Sequence, residues 1–580
     1  MSVQDPTLAG VQARLAAGAT PADEISAACA RLAAYRDPAL LLHAGAGATM
    51  AAQAGSGPLA GVALVVKDNI DVAGMPTTAG CPSFSYAPGA DAPVVARLRA
   101  AGAVPVAKAN LDQFATGLVG TRSAHGIPRN PFDPTRIPGG SSSGSAMAVA
   151  AGLVSVALGT DTAGSGRVPA AFGNIVGFKP TRGLVSTRGV VPAVRSLDCV
   201  SVFAHTVADA WTVLTHAAGF DAEDPFSRRA MDVDLPDGRL RIGIPPPAVL
   251  EADLAPHLLA GWRAAAAALV ALGHALVVID LDPFLAAAGL LYQGPWVAER
   301  TAAVGDHLAT ASDGDPTVAA IVRGGRAYDA VAAYRASYQL ARLRRLADAQ
   351  WEGMDVLLLP TVREHPTLAE VAADPLGVNA RLGRYTNFAN LLDTCAVAVP
   401  AALAALPAGV TVFAPAWHDA ALYRLGVRLQ ERLALPLGAT AWPAPTAPPL
   451  PPSSLVTVAV FGAHLRGQPL NPRLVALGGR FLGDCRTAPA YRCHLIPGPM
   501  ARPGLVSTAE GGAAIAGELW ALPPAGFGRL VAEVAAPLAI GPLRLDDGRT
   551  VPGYLCAGML PATARDITAH GGWRAFLAAE

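Results

Sequence analysis

Residues 435–454 read LPLGATAWPAPTAPPLPPSS. Proline carries no backbone N–H and locks its φ, so a run this dense forms neither a helix nor a paired strand. The stretch is predicted to be an extended spacer. It divides the chain into a large first domain, 1–435, a linker, 436–454, and a small second domain, 455–580. A chain of 580 residues exceeds what one ordinary core serves, so two domains are the expected organisation. Beyond the spacer, LVTVAVFGAHLRG opens with an apolar strand that runs into a glycine turn.

The first domain alternates between strand and helix patterns. GVALVVKDNI (61–70), VPVAKANL (104–111), VSVALGT (154–160), RIGIPPPAVL (241–250) and DVLLLPTV (355–362) read as strands. APVVARLRAAGA (92–103), SAMAVAAGL (145–153) and PHLLAGWRAAAAALVALG (256–273) carry helical spacing. Such alternation predicts an α/β fold, a large mixed or parallel sheet covered by helices.

Charge excludes some partners. Lys+Arg and Asp+Glu both number 44, with no long run of one sign. That argues against an electrostatic grip on nucleic acid or on an anionic membrane. No apolar run approaches the roughly 20 residues of a transmembrane helix. The start, MSVQDPTLAGVQARLAAGATPADEI, lacks the basic-then-apolar order of a secretion signal. Seven scattered cysteines without a CxxC predict a reduced, cytoplasmic protein with no disulfide framework and no zinc site.

The chemistry concentrates where side chains are small. A strand ending in GTDTAGSGR presents several backbone N–H groups in a turn poor in Cβ atoms. Such a nest suits the oxyanion of a tetrahedral acyl-transfer intermediate, and Ser165 inside it is placed to attack. No histidine is near to serve as base. Lys67 ends the apolar strand ALVVK, and desolvation there lowers a lysine's pKa until it can take a proton. Ser-Lys catalysis is a variant of triad logic, with a second serine as relay. Taken singly, a Gly/Ser loop also reads as a linker or phosphate cradle, and a strand-end lysine as a solvated terminus. The P-loop pattern GxxxxGK[ST] is absent.

Together, GGSSSGSAMAVAAGLVSVALGTDTAGSGRVPAAFGNIVGFKPTRG (139–183) and GVALVVKDNIDVAGMPTTAG (61–80) resemble the amidase signature family over residues 55–435. By that resemblance Ser165 is the nucleophile, Ser141 the relay serine behind a cis peptide bond, and Lys67 the base. The N–H groups of Thr162, Ala163, Gly164 and Ser165 form the oxyanion hole. Ala163 stands where the motif usually has Gly, a small change. Asp161 and Arg167 are expected to brace the turn as an ion pair.

Substrate choice must come from elsewhere. In LLYQGPWVAERTAAVGDHL (290–308), Tyr292 and Arg300 lie eight residues apart, near one face if the stretch is one helix. An arginine fork aimed into a pocket is a carboxylate clamp; Arg300 with Glu299 also reads as a plain surface pair. YQGPWVAER, FATGLVGTRS (114–123), the proline-rich junction and the extra domain resemble the allophanate hydrolase branch of the family. That resemblance implies that Tyr292 and Arg300 hold the carboxylate of allophanate and that the Gly117 backbone contacts its urea end. It further implies ammonia release, N-carboxycarbamate as product, a homodimer and a urea carboxylase as pathway partner, with no cofactor and no metal. The second domain resembles the small α+β fold of gamma-glutamyl cyclotransferase-like proteins. There His464 in FGAHLRG, beside Arg466, is the candidate for assisting decarboxylation; His494 competes, and Glu518 is the candidate acid. The other readings are a broad amidase or a glutamyl-tRNA amidotransferase A-like protein whose second domain, through Trp573, only binds or dimerises.

Overall fold

The structure is a computed structural model. It describes residues 4–580 except 232, 236, 237, 441, 447, 499 and 559. Two compact units emerge: Met1–Met231 with Gly238–Pro451, and Asp232–Asp237 with Pro452–Glu580. The proline-rich stretch begins inside the first unit. Asn174 Nδ2 donates to the carbonyls of Pro436 and Gly438, and the Ala439 N–H donates to the Ala150 carbonyl.

The first unit is built on eleven strands: β1 Leu41–Ala44, β2 Ala63–Lys67, β3 Val104–Ala109, β4 Val156–Thr160, β5 Val176–Lys179, β6 Val200–Ala204, β7 Arg241–Ile244, β8 Ala275–Val278, β9 Val356–Pro360, β10 Thr394–Leu403 and β11 Pro407–Pro415. Their order is β1-β3-β2-β4-β6-β5-β10-β11-β9-β7-β8. The sheet is mixed. β2 pairs parallel with β3 and β4, and β7 with β8 and β9, while the β4-β6-β5-β10-β11-β9 run is antiparallel. Every residue of β2, β4 and β9 is buried. Both faces are covered, which is why these strands read as unbroken apolar runs rather than alternating ones.

Small residues serve packing as much as chemistry. The helix Ser143–Ala150 is buried along its whole length. A Cβ on Gly144 would stand 2.4 Å from the Leu40 carbonyl oxygen and 2.6 Å from the Asn110 nitrogen. The helix therefore presses against backbone at Gly144, where no side chain fits.

The second unit holds β12 Val456–Val460, β13 Arg480–Arg486, β14 Tyr491–Ile496, β15 Arg502–Ser507, β16 Ala516–Leu522, β17 Leu538–Arg544, β18 Thr550–Cys556 and β19 Arg565–Asp566. Five form a sheet, β13-β16-β12-β18-β17, and three a second, β15-β14-β19. With the helices Pro524–Ala532 and Trp573–Ala579 this is an α+β unit. Trp573 is 4% exposed and sits in the core with Phe576 and Trp520. It is a core residue, so it does not offer the binding or dimerising surface of the alternative reading.

Candidate functional site

Lys67, the last residue of β2, is wholly buried. Its Nζ lies 2.8 Å from Ser141 Oγ and 2.7 Å from Thr160 Oγ1. Burial is the main force on its pKa and drives it down from 10.5 to about 7. The carboxylates of Asp112, Asp198 and Asp161 pull upward, and the Arg300 cation adds to the lowering. A lysine so placed is neutral for about half the time at pH 7 and can accept a proton from Ser141. The Gly140–Ser141 peptide is cis.

The turn after β4 presents donors on one side only. The N–H groups of Thr162, Ala163, Gly164 and Ser165 make no hydrogen bond among the described residues. The carbonyls on the other side are held. Asn390 Nδ2 donates to the Asp161 and Thr162 carbonyls, and Arg167 Nη2 to that of Ala163. The Asp161–Arg167 pair is wholly buried and bidentate, at 2.7 and 2.9 Å. Asp161 also accepts the Gly166 N–H, which closes the turn. Gly164 and Gly166 do not adopt positive φ. Space explains them: a Cβ on Gly164 would stand 2.4 Å from Thr386 Oγ1, and one on Gly166 2.6 Å from Ser201 Cβ. Ala163 fits because its methyl joins an apolar cluster with Val168 and Phe172. Ser165 is 2% exposed, and its hydroxyl makes no hydrogen bond among the described residues. Lys67 and Ser141 are thus joined here, and the step from Ser141 to Ser165 is not.

Tyr292 and Arg300 do not share a helix. One helix, Asp282–Gln293, ends at Gly294, and another, Val297–Leu308, begins after Pro295. Proline cannot continue the first helix but opens the second. The break still brings the side chains together. Arg300 Nη2 is 3.3 Å from the Tyr292 hydroxyl, and the guanidinium sits 5.1 Å from the ring centroid. Arg300 is 1% exposed. Nη1 donates to Thr116 Oγ1 at 2.8 Å and to the Ala115 carbonyl at 3.4 Å, and Nε has no hydrogen-bond partner among the described residues. None of these acceptors is a carboxylate. A guanidinium cannot shed its charge, so this buried cation wants an anion. Glu299 faces Ser196 instead, accepting its N–H and hydroxyl. Gly117 adjoins Thr116, and a Cβ there would stand 2.7 Å from Asp112 Oδ2.

The Amidase family model matches residues 24–423. The chain belongs to the amidase family. A second model, Allophanate hydrolase C-terminal domain, matches residues 456–578 of this amidase. The urea amidolyase of Lachancea kluyveri is 42% identical over 550 residues, 90% of this chain and 30% of that protein. The chain thus spans about 30% of the length of this curated relative. An allophanate hydrolase structure from Kluyveromyces lactis is 37% identical with TM-score 0.73, covering 100% of this chain and 99% of that one. The 6-aminohexanoate cyclic dimer hydrolase structure is 25% identical with TM-score 0.67, covering 75% of this chain and 98% of that one.

Several site residues of this amidase leave no signal in the sequence. Thr160 Oγ1, at the end of β4, accepts from Lys67 Nζ. Asp198 accepts the Thr162 hydroxyl and the N–H groups of Ala193 and Val194, fixing the first residue of the turn. Asp112 accepts the N–H groups of Gly120 and Arg122. Burial raises the pKa of both carboxyls, and these donors oppose it. Thr160 lies inside the Gly/Ser motif and Asp198 close after it, but nothing in their spacing announces the partner.

In the second unit, His464 lines a cavity of about 420 Å³ and stacks on Tyr554 at 5.1 Å. Burial lowers its pKa to about 4, against a small upward pull from Glu533. The imidazole is therefore neutral near pH 7. Arg466 does not serve this cavity. It pairs with Glu518 and Asp484 and lies over the Phe481 ring. Glu518 is no free acid either. It is wholly buried and accepts from the Arg466 N–H, Arg574 and Trp520 Nε1. Burial pushes its pKa up, and those donors outweigh burial and hold it below the usual value. His494 sits on β14 with Nε2 4.0 Å from Asp566. Among the described residues, no cluster of His, Cys, Asp and Glu is arranged to hold a metal, and no helix is long and apolar enough to cross a membrane.

Proposed function

We propose that this chain hydrolyses allophanate, the carboxylate of urea, at its terminal amide. The observation that carries the reading is Arg300, a buried cation with no carboxylate among its hydrogen-bond partners in the described residues, beside a buried lysine–serine pair. A substrate with an amide at one end and a carboxylate at the other satisfies both. Arg300 and Tyr292 hold the carboxylate, and the Gly117 backbone meets the urea end. Ser165 Oγ attacks the terminal carbonyl while its proton passes through Ser141 to Lys67. The N–H groups of Thr162, Ala163, Gly164 and Ser165 receive the oxyanion. As the C–N bond breaks, Lys67 returns the proton to the leaving nitrogen and ammonia departs. Water then attacks the acyl-enzyme with the proton path reversed, and N-carboxycarbamate is freed. Preorganised donors in a dry site supply most of the acceleration.

In this reading His464, neutral in its cavity, assists loss of CO2 from N-carboxycarbamate in the second unit. The chain works as a cytoplasmic homodimer behind an enzyme that carboxylates urea. Similarity to the urea amidolyase and to the allophanate hydrolase supports the substrate. The amidotransferase A-like alternative is weakened by Arg300 and by the second unit's match. The test is ammonia release from allophanate by wild type, Ser165→Ala and Arg300→Ala. Turnover lost with the first change and weakened mainly in KM by the second supports the proposal. Turnover of simple amides without allophanate hydrolysis refutes the substrate and leaves the Ser-Lys chemistry in place.

A further inference from the structure

The helix Pro375–Leu382 lies far from both small-residue motifs in sequence, yet it reaches the Gly117 loop. Its Asn379 is 4% exposed. Asn379 Oδ1 accepts the Leu118 N–H at 2.8 Å. Only the amide oxygen can accept, so this bond fixes which end of the amide faces the loop. The two Nδ2 donors make no hydrogen bond among the described residues. Asn379 and Tyr292 line the same cavity, of about 700 Å³, together with Asn387 and Arg384.

The bond to Leu118 orients more than one atom. In a trans peptide the N–H and the preceding C=O point opposite ways. Holding the Leu118 N–H therefore aims the Gly117 carbonyl away from Asn379. The Leu118 carbonyl accepts the Gly140 N–H at 2.9 Å, one residue before Ser141. Arg122 ties the same loop to the same helix, donating to the Thr116 and Pro375 carbonyls at 3.0 and 2.6 Å. Thr116 is in turn the acceptor of Arg300. The loop that touches the buried cation is thus set from Asn379 and Arg122.

We infer that Asn379 determines specificity in this site: Oδ1 sets the Gly117 peptide, and Nδ2 donates to the carboxylate end of a small amide-bearing anion held by Arg300 and Tyr292. The inference rests on the allophanate reading for the identity of that anion. Asn379→Asp separates the two ends. It keeps size and the acceptor for Leu118, and it replaces the amide donor with a carboxylate oxygen that repels an anion. Allophanate KM should rise about 10- to 100-fold with kcat kept within about threefold. The dissociation constant of malonamate, which has CH2 where allophanate has NH, should rise in step by calorimetry. Asn379→Ala should lower kcat as well, because Leu118 loses its acceptor. Unchanged KM and unchanged malonamate affinity in Asn379→Asp overturn the inference. So does a fall in kcat alone, which is the mark of a residue that only holds the loop. Malonamate binding that weakens in Asn379→Asp, in an enzyme that leaves allophanate intact, upholds Asn379 and refutes the substrate.

Discussion

Replacing Arg300 with methionine separates function from stability. The side chain is 1% exposed and bonds only neutral acceptors: Thr116 Oγ1, the Ala115 carbonyl and the Tyr292 hydroxyl. Truncating one partner of a buried, hydrogen-bonded charge pair costs about 2–5 kcal/mol of binding. That is roughly 30- to several-thousand-fold in kcat/KM for a substrate with a carboxylate. Stability should move the other way. Taking an ion out of water costs several kcal/mol, and apolar replacement of buried ions is often neutral or stabilising by about 1–4 kcal/mol. The hydroxyls of Thr116 and Tyr292 can turn to other partners, and Tyr292 is only half-buried. The assays are ammonia release against allophanate concentration and thermal unfolding of the ligand-free protein. Arg300→Met should show a large loss in kcat/KM, carried by KM, with an unfolding temperature equal to or above that of wild type. A clear drop in unfolding temperature, with equal loss toward an uncharged amide such as biuret, would falsify the reasoning. Arg300 would then be a structural cation satisfied by its neutral partners.

The pH profile should follow Lys67. Its pKa falls to about 7 in the fold, and only the neutral amine accepts a proton, so kcat/KM should rise with pH through about 7 and level off above it. The limb of kcat should lie at higher pH than the limb of kcat/KM; coincident limbs would mean that substrate charge does not reach Lys67. Asp198→Asn puts an amide NH2 against donors now received by a carboxylate, so kcat should drop about 10²- to 10³-fold with a small change in KM, and steady-state kinetics would show a KM-only effect if the turn does not depend on it. His464→Gln should leave ammonia release from allophanate intact and slow CO2 release; stopped-flow CO2 detection showing no change would remove His464 from the second step. Trp573→Ala should cost the second unit about 3–5 kcal/mol, read by denaturant unfolding of the full chain, and a value under about 1 kcal/mol would contradict its core position.

How much of the fold and the site is legible in the sequence depends on the range of the interaction. Five strands of the first unit, β2, β3, β4, β7 and β9, can be read, and burial of both faces leaves runs such as ALVV and LLL unmistakable; the other six are not picked out. The ion pair Asp161–Arg167 can be read because its partners are six residues apart. Lys67 and Ser141 stand 74 positions apart, and no local pattern joins them; family resemblance names both, and the geometry shows their bond. The Gly294–Pro295 dipeptide is a visible break signal, yet the eight-residue spacing of Tyr292 and Arg300 invites a single helix. Asn379, 261 positions from Leu118, leaves no trace at all, because a buried asparagine looks like any other until its partner is known. Dihedral freedom is the role that a sequence suggests for the glycines of the turn. Their cause is crowding by Thr386 and Ser201, which only packing reveals.

Two buried cations share one site, which would suit Lys67 to the role of base proposed for it. Burial drives Lys67 toward its neutral form, and the nearby Arg300 charge pushes the same way. Asp112, Asp161 and Asp198 pull back, but each is already engaged, with Gly120 and Arg122, with Arg167, and with Thr162 respectively. None hydrogen-bonds the amine, whose nearest partners are two neutral hydroxyls. An empty site therefore holds Lys67 poised near pH 7. When an anion settles against Arg300, the local positive potential falls and the affinity of Lys67 for a proton rises. Because only the neutral amine takes a proton from Ser141, that rise moves the limb of kcat to higher pH than the limb of kcat/KM. A neutral amide of the same shape would fill the space without that shift. In the proposed reading, selection for a carboxylate operates in binding, through a guanidinium whose hydrogen-bond acceptors among the described residues are all neutral.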